Sequence, residues 1–215
     1  MKSLARLLLL MTALLPLAAC AAADAPLVEG RDYTPIADAG PFAPLAGKIE
    51  VVEVFGYTCP ACAHFEPQLE AWVAKLPRDV RFTPVAAPFG GYWDAYARAF
   101  YAAEQLGVFK RSHAAMFKAL HEQRSLPLQN VSPQELATFY AQYGVQPQQY
   151  IDALRGSQVE EKMKHARAFV MRTKVPGTPA LIVNGKYLVT GRDFADTLRI
   201  ADALLARERA AGQRR

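Results

Sequence analysis

The chain has 215 residues, 52% hydrophobic and 21% charged, which suits one compact domain or one domain with an insertion. Formal net charge is +5, falling to +3 when Lys2 and Arg6 of the leader are set aside. No basic stripe with interleaved aromatics is present, which excludes nucleic acid as a partner, and the Arg-rich end at 207–215 reads as a solvated, frayed terminus.

Residues 1–20 read as a secretory signal: two cations, an apolar run at 7–17, then small residues. The run is too short for a comfortable membrane span. Two processing routes are open. Leu17-Ala18-Ala19-Cys20 resembles a bacterial lipobox, in which Cys20 is acylated and anchors the chain to a membrane. Ala21-Ala22-Ala23 instead offers an ordinary signal-peptidase site, which discards Cys20. By either route the exported domain keeps one cysteine pair, in an oxidising compartment.

Residues 24–38 form a polar lead-in with a short edge strand at 33–36, and 38–48 a loop rich in proline and glycine. The β-branched run 49–55 reads as a buried strand. Cys59-Pro60-Ala61-Cys62 then opens a helix over 60–75, with Pro60 in the first turn, where its missing N–H costs nothing. This puts the Cys59 sulfur beside free backbone N–H groups at the positive helix end, which stabilises a thiolate. Cys62 follows one turn on. Covalent haem attachment needs His directly after the second cysteine, and position 63 is Ala. Zinc needs a second ligand pair, and His113, His121 and His165 are scattered through helical stretches. A structural disulfide closing four residues would constrain the unfolded chain little. The pattern points to thiol–disulfide exchange, with no metal and no cofactor. Glu53, in the middle of its strand and six residues before Cys59, is a candidate proton acceptor for Cys62.

The first helix carries Phe65, Leu69, Trp72 and Leu76 as a core stripe, and Pro67 predicts a kink. A second strand spans 80–86, interrupted by Pro84. From 92 to 174 the pattern is helical: 92–106, 109–123, a helix opened by the Ser132–Glu135 capping box, a short one at 148–154, and a last one capped by Ser157 and Glu160. The chain then returns to strands at 180–183 and 187–189 around Asn184-Gly185, the strongest short hairpin signal. Asp193 caps a final helix with Phe194, Leu198, Ala201 and Leu205 inward. A sheet half with Cys-x-x-Cys, split by helices and closed by a hairpin and helix, gives an α/β class: a thioredoxin-like fold with an inserted helical domain. The expected parts are 24–91, the helical insertion 92–174, 175–209, and a basic tail at 210–215.

The motif around Cys59 and Cys62, Pro88-Phe89-Gly90-Gly91, and Val175-Pro176-Gly177-Thr178-Pro179 continuing to Tyr187 resemble the DsbA-type periplasmic thiol–disulfide oxidoreductases. The resemblance covers about residue 30 to the final helix. It implies a monomeric enzyme of a Gram-negative-type periplasm that donates disulfides to exported proteins still folding. A quinone-linked membrane oxidase of the DsbB type would reoxidise it. It implies Cys59 as the exposed nucleophile, Cys62 as the buried resolving thiol, and Thr178–Pro179 as a cis-proline loop facing the sulfurs. Thr178 would offer its backbone to an extended substrate strand, with Tyr57 and Phe89 lining the groove.

Three departures bear on redox poise. Ala61 stands where strongly oxidising members carry His, and Thr178 where many carry Val. Pro84 stands where relatives can place a Lys near the buried Glu, which leaves Glu53 without a charge partner. Two competing readings follow: a reductase or isomerase of thioredoxin-like poise, and a membrane-tethered chaperone that grips unfolded chains through Phe89, Tyr92 and Trp93.

Overall fold

The computed structural model describes residues 26–213. The expected signal segment, with Cys20 and both processing sites, lies outside them. In chain order the elements are β1 (Tyr33–Pro35), β2 (Ile49–Phe55), α1 (Pro60–Val73), β3 (Val80–Ala86), α2 (Tyr92–Gln105), α3 (Phe109–His121), α4 (Pro133–Ala141), α5 (Pro147–Arg155), α6 (Ser157–Thr173), β4 (Ala180–Val183), β5 (Tyr187–Val189) and α7 (Phe194–Gly212).

The five strands form one sheet in the order β1-β5-β4-β2-β3. β2 pairs parallel with β3 across the α1 crossover and antiparallel with β4. The hairpin turns at Asn184 and Gly185, both at positive φ, and Lys186 N–H donates to the Val183 carbonyl at 3.0 Å. A side chain at Gly185 would strike the backbone of Gly40, so the loop before β2 lies directly on this turn.

Period-2 alternation in β2 sorts its residues onto two cores. Val51 faces α1 and α7, packing with Phe65, Leu69, Leu181, Ile200 and Leu204. Val52 and Val54 face the helical block, with Phe100, Met116 and Tyr140 among the buried side chains there. The parity also separates two buried carboxylates. Glu50 is saturated by Arg81 at 2.7 Å, Thr83 at 2.9 Å and the Phe42 N–H at 2.7 Å. Glu53, on the other face, has no ion-pair partner among the described residues.

α1 holds Pro67 inside one helical span. Several local expectations need correction. Gly156, not Ser157, is the cap of α6 and makes no side-chain bond; Glu160 pairs with Arg98 instead. Among the described residues the Arg-rich end is not free. α7 continues to Gly212, so the expected tail begins inside a helix. Arg207 stacks over Tyr33 and Tyr187, and Arg209 pairs with Asp79. Aromatic faces and a carboxylate at the sheet's end recruit these cations. The capping box at Ser132 and the Asp193 cap form as the sequence indicates.

Candidate active site

Strand β2 ends at Phe55, and the loop Gly56-Tyr57-Thr58 delivers the chain to α1. Gly56 is required by packing: a Cβ there would lie 2.1 Å from the Trp93 ring. Cys59 is the N-cap of α1, in extended conformation, and Pro60 occupies the first turn. The Cys62 N–H donates to the Cys59 sulfur at 3.3 Å. Backbone N–H groups that a helix cannot satisfy internally are thus turned onto one sulfur.

Both cysteines are free thiols. Cys59 is 7% exposed and Cys62 1%, so the expected contrast is one of degree, with Cys59 itself largely covered. Their environments diverge more than their exposure. Cys59 is lowered to about 5, chiefly by its hydrogen bond with Cys62, with Thr178 and the Cys62 and Ala61 N–H groups adding and burial opposing. Burial, then the adjoining Cys59, push Cys62 far above the usual thiol range. One thiolate and one thiol is the resting state of the reduced pair.

The Thr178–Pro179 peptide bond is cis. It brings the Thr178 carbonyl to 3.4 Å from the Cys59 sulfur, and hydrogen bonding from Thr178 lowers both cysteines. Beneath the pair, Glu53 is 2% exposed. Burial raises its carboxyl well above the usual range, and the charges of Glu66 and Cys59 raise it further. Glu53 stands opposite Leu181 of β4 and Pro84 of β3.

Tyr57 does not line an open groove. It is 1% exposed, and its hydroxyl lies 2.8 Å from His113 Nδ1. Phe89 is exposed and packs edge-on against Trp93, 5.2 Å between centroids, with Tyr92 also exposed beside it. Sequence alone assigns no role to Glu66, and sets His113 and His121 aside as metal ligands. His113 Nε2 lies 3.4 Å from Glu66 Oε2, and His121 Nε2 lies 2.7 Å from the Tyr57 carbonyl. Glu66 carries a legible signal, one helical turn beyond Cys62. The histidines carry none, because only the packing of α3 onto the loop brings them in. No cluster of potential metal ligands occurs among the described residues.

A dithiol with one ionised sulfur at a helix start, a buried partner, a backbone carbonyl alongside and a carboxyl beneath is equipped for disulfide exchange. Comparisons with known proteins agree. A thioredoxin family model matches residues 45–203. The thiol:disulfide interchange protein DsbA of Azotobacter vinelandii is 37% identical over 85% of this chain and 85% of its own. That of Pseudomonas aeruginosa is 34% identical over 96% and 99%. The crystal structure of the oxidoreductase DsbA from Xylella fastidiosa superposes with a TM-score of 0.84 at 59% identity, covering 86% of this chain and 98% of that one.

Proposed function

This chain belongs to the DsbA family of thiol:disulfide interchange proteins, it is an oxidoreductase that introduces disulfide bonds, and from that premise we propose which of its groups carry each step. A substrate thiolate attacks the Cys59 sulfur of the oxidised pair. The Cys59–Cys62 bond breaks, and its electron pair goes to Cys62, which takes a proton from Glu53. A second substrate thiolate attacks its neighbour's sulfur in the mixed disulfide, and Cys59 leaves as a thiolate. The substrate is oxidised by two electrons and the pair Cys59, Cys62 is reduced by two. Both substrate protons are released to solvent, the Cys62 proton comes from Glu53, and one proton from solvent restores the Glu53 carboxyl.

The observation that carries this assignment is the split between the sulfurs: Cys59 lowered to about 5 at the helix start, Cys62 pushed up by burial. The lower thiol is the better leaving group and reaches solvent first. Pro60 and Ala61 hold the turn between them. Thr178 and Pro179 offer an extended backbone edge to a substrate strand. Glu53 takes a proton back from Cys62 when the pair is reoxidised, since Cys62 must then ionise to attack.

The substrates are exported proteins with reduced cysteines, met while they fold, and the compartment is the periplasm of a Gram-negative-type bacterium. Recycling falls to a quinone-linked membrane partner of the DsbB type. Acylation at Cys20 would tether the enzyme; cleavage after Ala23 would free it. Residues 24–91 and 175–209 act as the two parts of one thioredoxin-like domain, 92–174 as its helical insertion, and the protein works as a monomer.

The test is the redox equilibrium of the purified protein against a glutathione series, read by the fluorescence of Trp93, which packs on Gly56 beside the motif. A strongly favoured dithiol supports a donor of disulfides despite Ala61. A thioredoxin-like poise would replace it with a reductase or isomerase. Cys59→Ser should abolish exchange altogether.

A further inference from the structure

The exposed apolar surface beside the motif does not stop at the Phe89 loop. Gly56, whose carbonyl accepts from the Cys59 N–H at 3.0 Å, lies against the Trp93 ring, and Trp93 packs with the exposed Phe89 and Tyr92. Ala95 and Arg98 follow Tyr92 at three-residue steps along α2, and residues so spaced are neighbours on a helix. Both belong to the wall of a cavity of about 430 Å³ that α2 shares with the starts of α4 and α6 and the end of α5. Binding clefts span about 300–1,000 Å³, and this one falls among them.

The cavity is apolar within and charged at its rim. Leu136 and Leu154 are buried, Val131 and Ala95 are half-buried, and none of these side chains carries a polar group. Arg98 and Glu160 pair with one another across the α2–α6 seam, so their charges cancel. Arg155, in the last turn of α5, is exposed and has no carboxylate partner. A hydrocarbon floor with one uncompensated cation beside it fits an apolar side chain followed by a carboxylate. The face of α2 that forms this wall runs back through Tyr92 to the motif, which makes the chain undergoing oxidation the occupant within reach.

Resting on the reading that the substrates are exported chains met while they fold, we propose that this cavity is a second contact site for the substrate polypeptide. An apolar side chain of the extended substrate seats on Ala95, Leu136 and Leu154, and an Asp or Glu next to it meets Arg155. An extended chain advances about 3.3 Å per residue, so the path from Cys59 over Trp93 and one turn of α2 takes about five residues. The contact forms no covalent bond and moves no electrons. It holds the substrate cysteine near Cys59 and so raises its effective concentration there. An unfolded chain offers such a segment and a folded one conceals it, so the cavity favours proteins whose cysteines are still unpaired.

The experiment is oxidation of dithiol peptides by the oxidised protein, quenched in acid and resolved by chromatography. One peptide is short, its two cysteines flanked by glycine. The longer ones add Leu-Asp about five residues from a cysteine, on either side, or Ser-Asp, Leu-Asn or Leu-Lys in its place. At low concentration the wild type should oxidise one Leu-Asp peptide about tenfold faster than the short and Ser-Asp peptides, the scale of burying one apolar side chain. Replacing Asp by Asn should cost about threefold, and that share should fade with salt, as for a charge at a rim. Ala95→Trp, which fills the cavity, should bring the Leu-Asp peptide down to the rate of the short one. Arg155→Glu should reverse the preference and take Leu-Lys over Leu-Asp, which a merely destabilised variant would not do. If the wild type oxidises long and short peptides equally, or Ala95→Trp and Arg155→Glu keep its preferences, the proposal is overturned and the exchange assignment stands. If the wild type oxidises none of the peptides, both fall. A dimer in sedimentation that Ala95→Trp dissolves would give the cavity to a second copy of the chain and also overturn it.

Discussion

Glu53 and Pro84 stand directly opposite one another in the parallel β2–β3 ladder. β3 is an edge strand, where proline's missing N–H is tolerated. Proline offers no charge, so nothing opposes burial and the charges of Glu66 and Cys59, and Glu53 is raised. Pro84→Lys would place an ammonium beside this carboxyl. The substitution is expected to lower the pH at which Glu53 titrates and to hold it ionised at neutral pH. An infrared difference spectrum of the reduced against the oxidised protein reads the carboxyl band directly. A protonated-carboxyl signal that persists in Pro84→Lys at neutral pH would contradict this account.

The same burial makes Glu53 a liability for stability. Its folded pKa lies above the unfolded value, so the folded protein holds a proton that the unfolded chain releases. Stability is therefore full below the unfolded pKa and is lost as pH rises toward the folded one. The loss is about 1.4 kcal/mol per pH unit while only the folded form is protonated. Glu53→Gln removes the slope, so denaturant unfolding should show the variant more stable than wild type at neutral pH and equal to it in acid. The gain should be larger in the reduced protein, where the Cys59 thiolate adds its charge. A variant less stable at every pH would mean that Glu53 holds hydrogen bonds that outweigh its desolvation.

How much of this was legible in the chain follows from the range of each interaction. The motif helix, the hairpin at Asn184-Gly185 and the Ser132 box are written in residues a few positions apart, and each forms as read. Pro84 beside Glu53 was legible only through the family resemblance, which puts a Lys near the buried Glu at this position, and the β2–β3 register places the two residues opposite one another. The errors arose where distant segments meet. Tyr57 is sealed by His113, 56 positions away, and Arg207 finds Tyr33, 174 positions away. No periodicity carries such pairings. Glu66 lies one helical turn past Cys62, but its partner His113 is on α3, and a polar residue on an amphipathic helix reads as solvated until another helix covers it.

Gly56 tests the packing behind the motif. Its missing side chain is what admits the Trp93 ring, and a methyl group would overlap that ring at 2.1 Å. Gly56→Ala must displace Trp93 and, with it, the exposed Phe89 and Tyr92 that pack on the indole. Overpacking of this kind costs about 1–3 kcal/mol. Chemical denaturation should show that loss together with an altered Trp93 emission. A stable variant with wild-type emission would mean that the ring relaxes without strain.

Thr178 sets the last prediction, because it acts on the sulfurs in two ways. Its backbone carbonyl lies 3.4 Å from Cys59, and its side-chain hydrogen bond helps lower the thiol. Thr178→Val keeps the backbone contact and removes the hydroxyl. In the wild type the thiolate stabilises the folded, reduced protein fully above the unfolded thiol's pKa, and that stability is lost as pH falls through about 5. Without the hydroxyl the midpoint should rise, so on acidification the loss is smaller in total and complete at a higher pH. A less stabilised thiolate also favours the disulfide form, so the glutathione equilibrium should move toward a weaker oxidant, several-fold in the equilibrium constant. The thiolate ultraviolet band, titrated in the reduced protein, measures the first effect, and the glutathione series measures the second. If the midpoint and the equilibrium both stay at wild-type values, the Thr178 hydroxyl contributes nothing. The low thiol would then rest on the helix start and the backbone carbonyl alone.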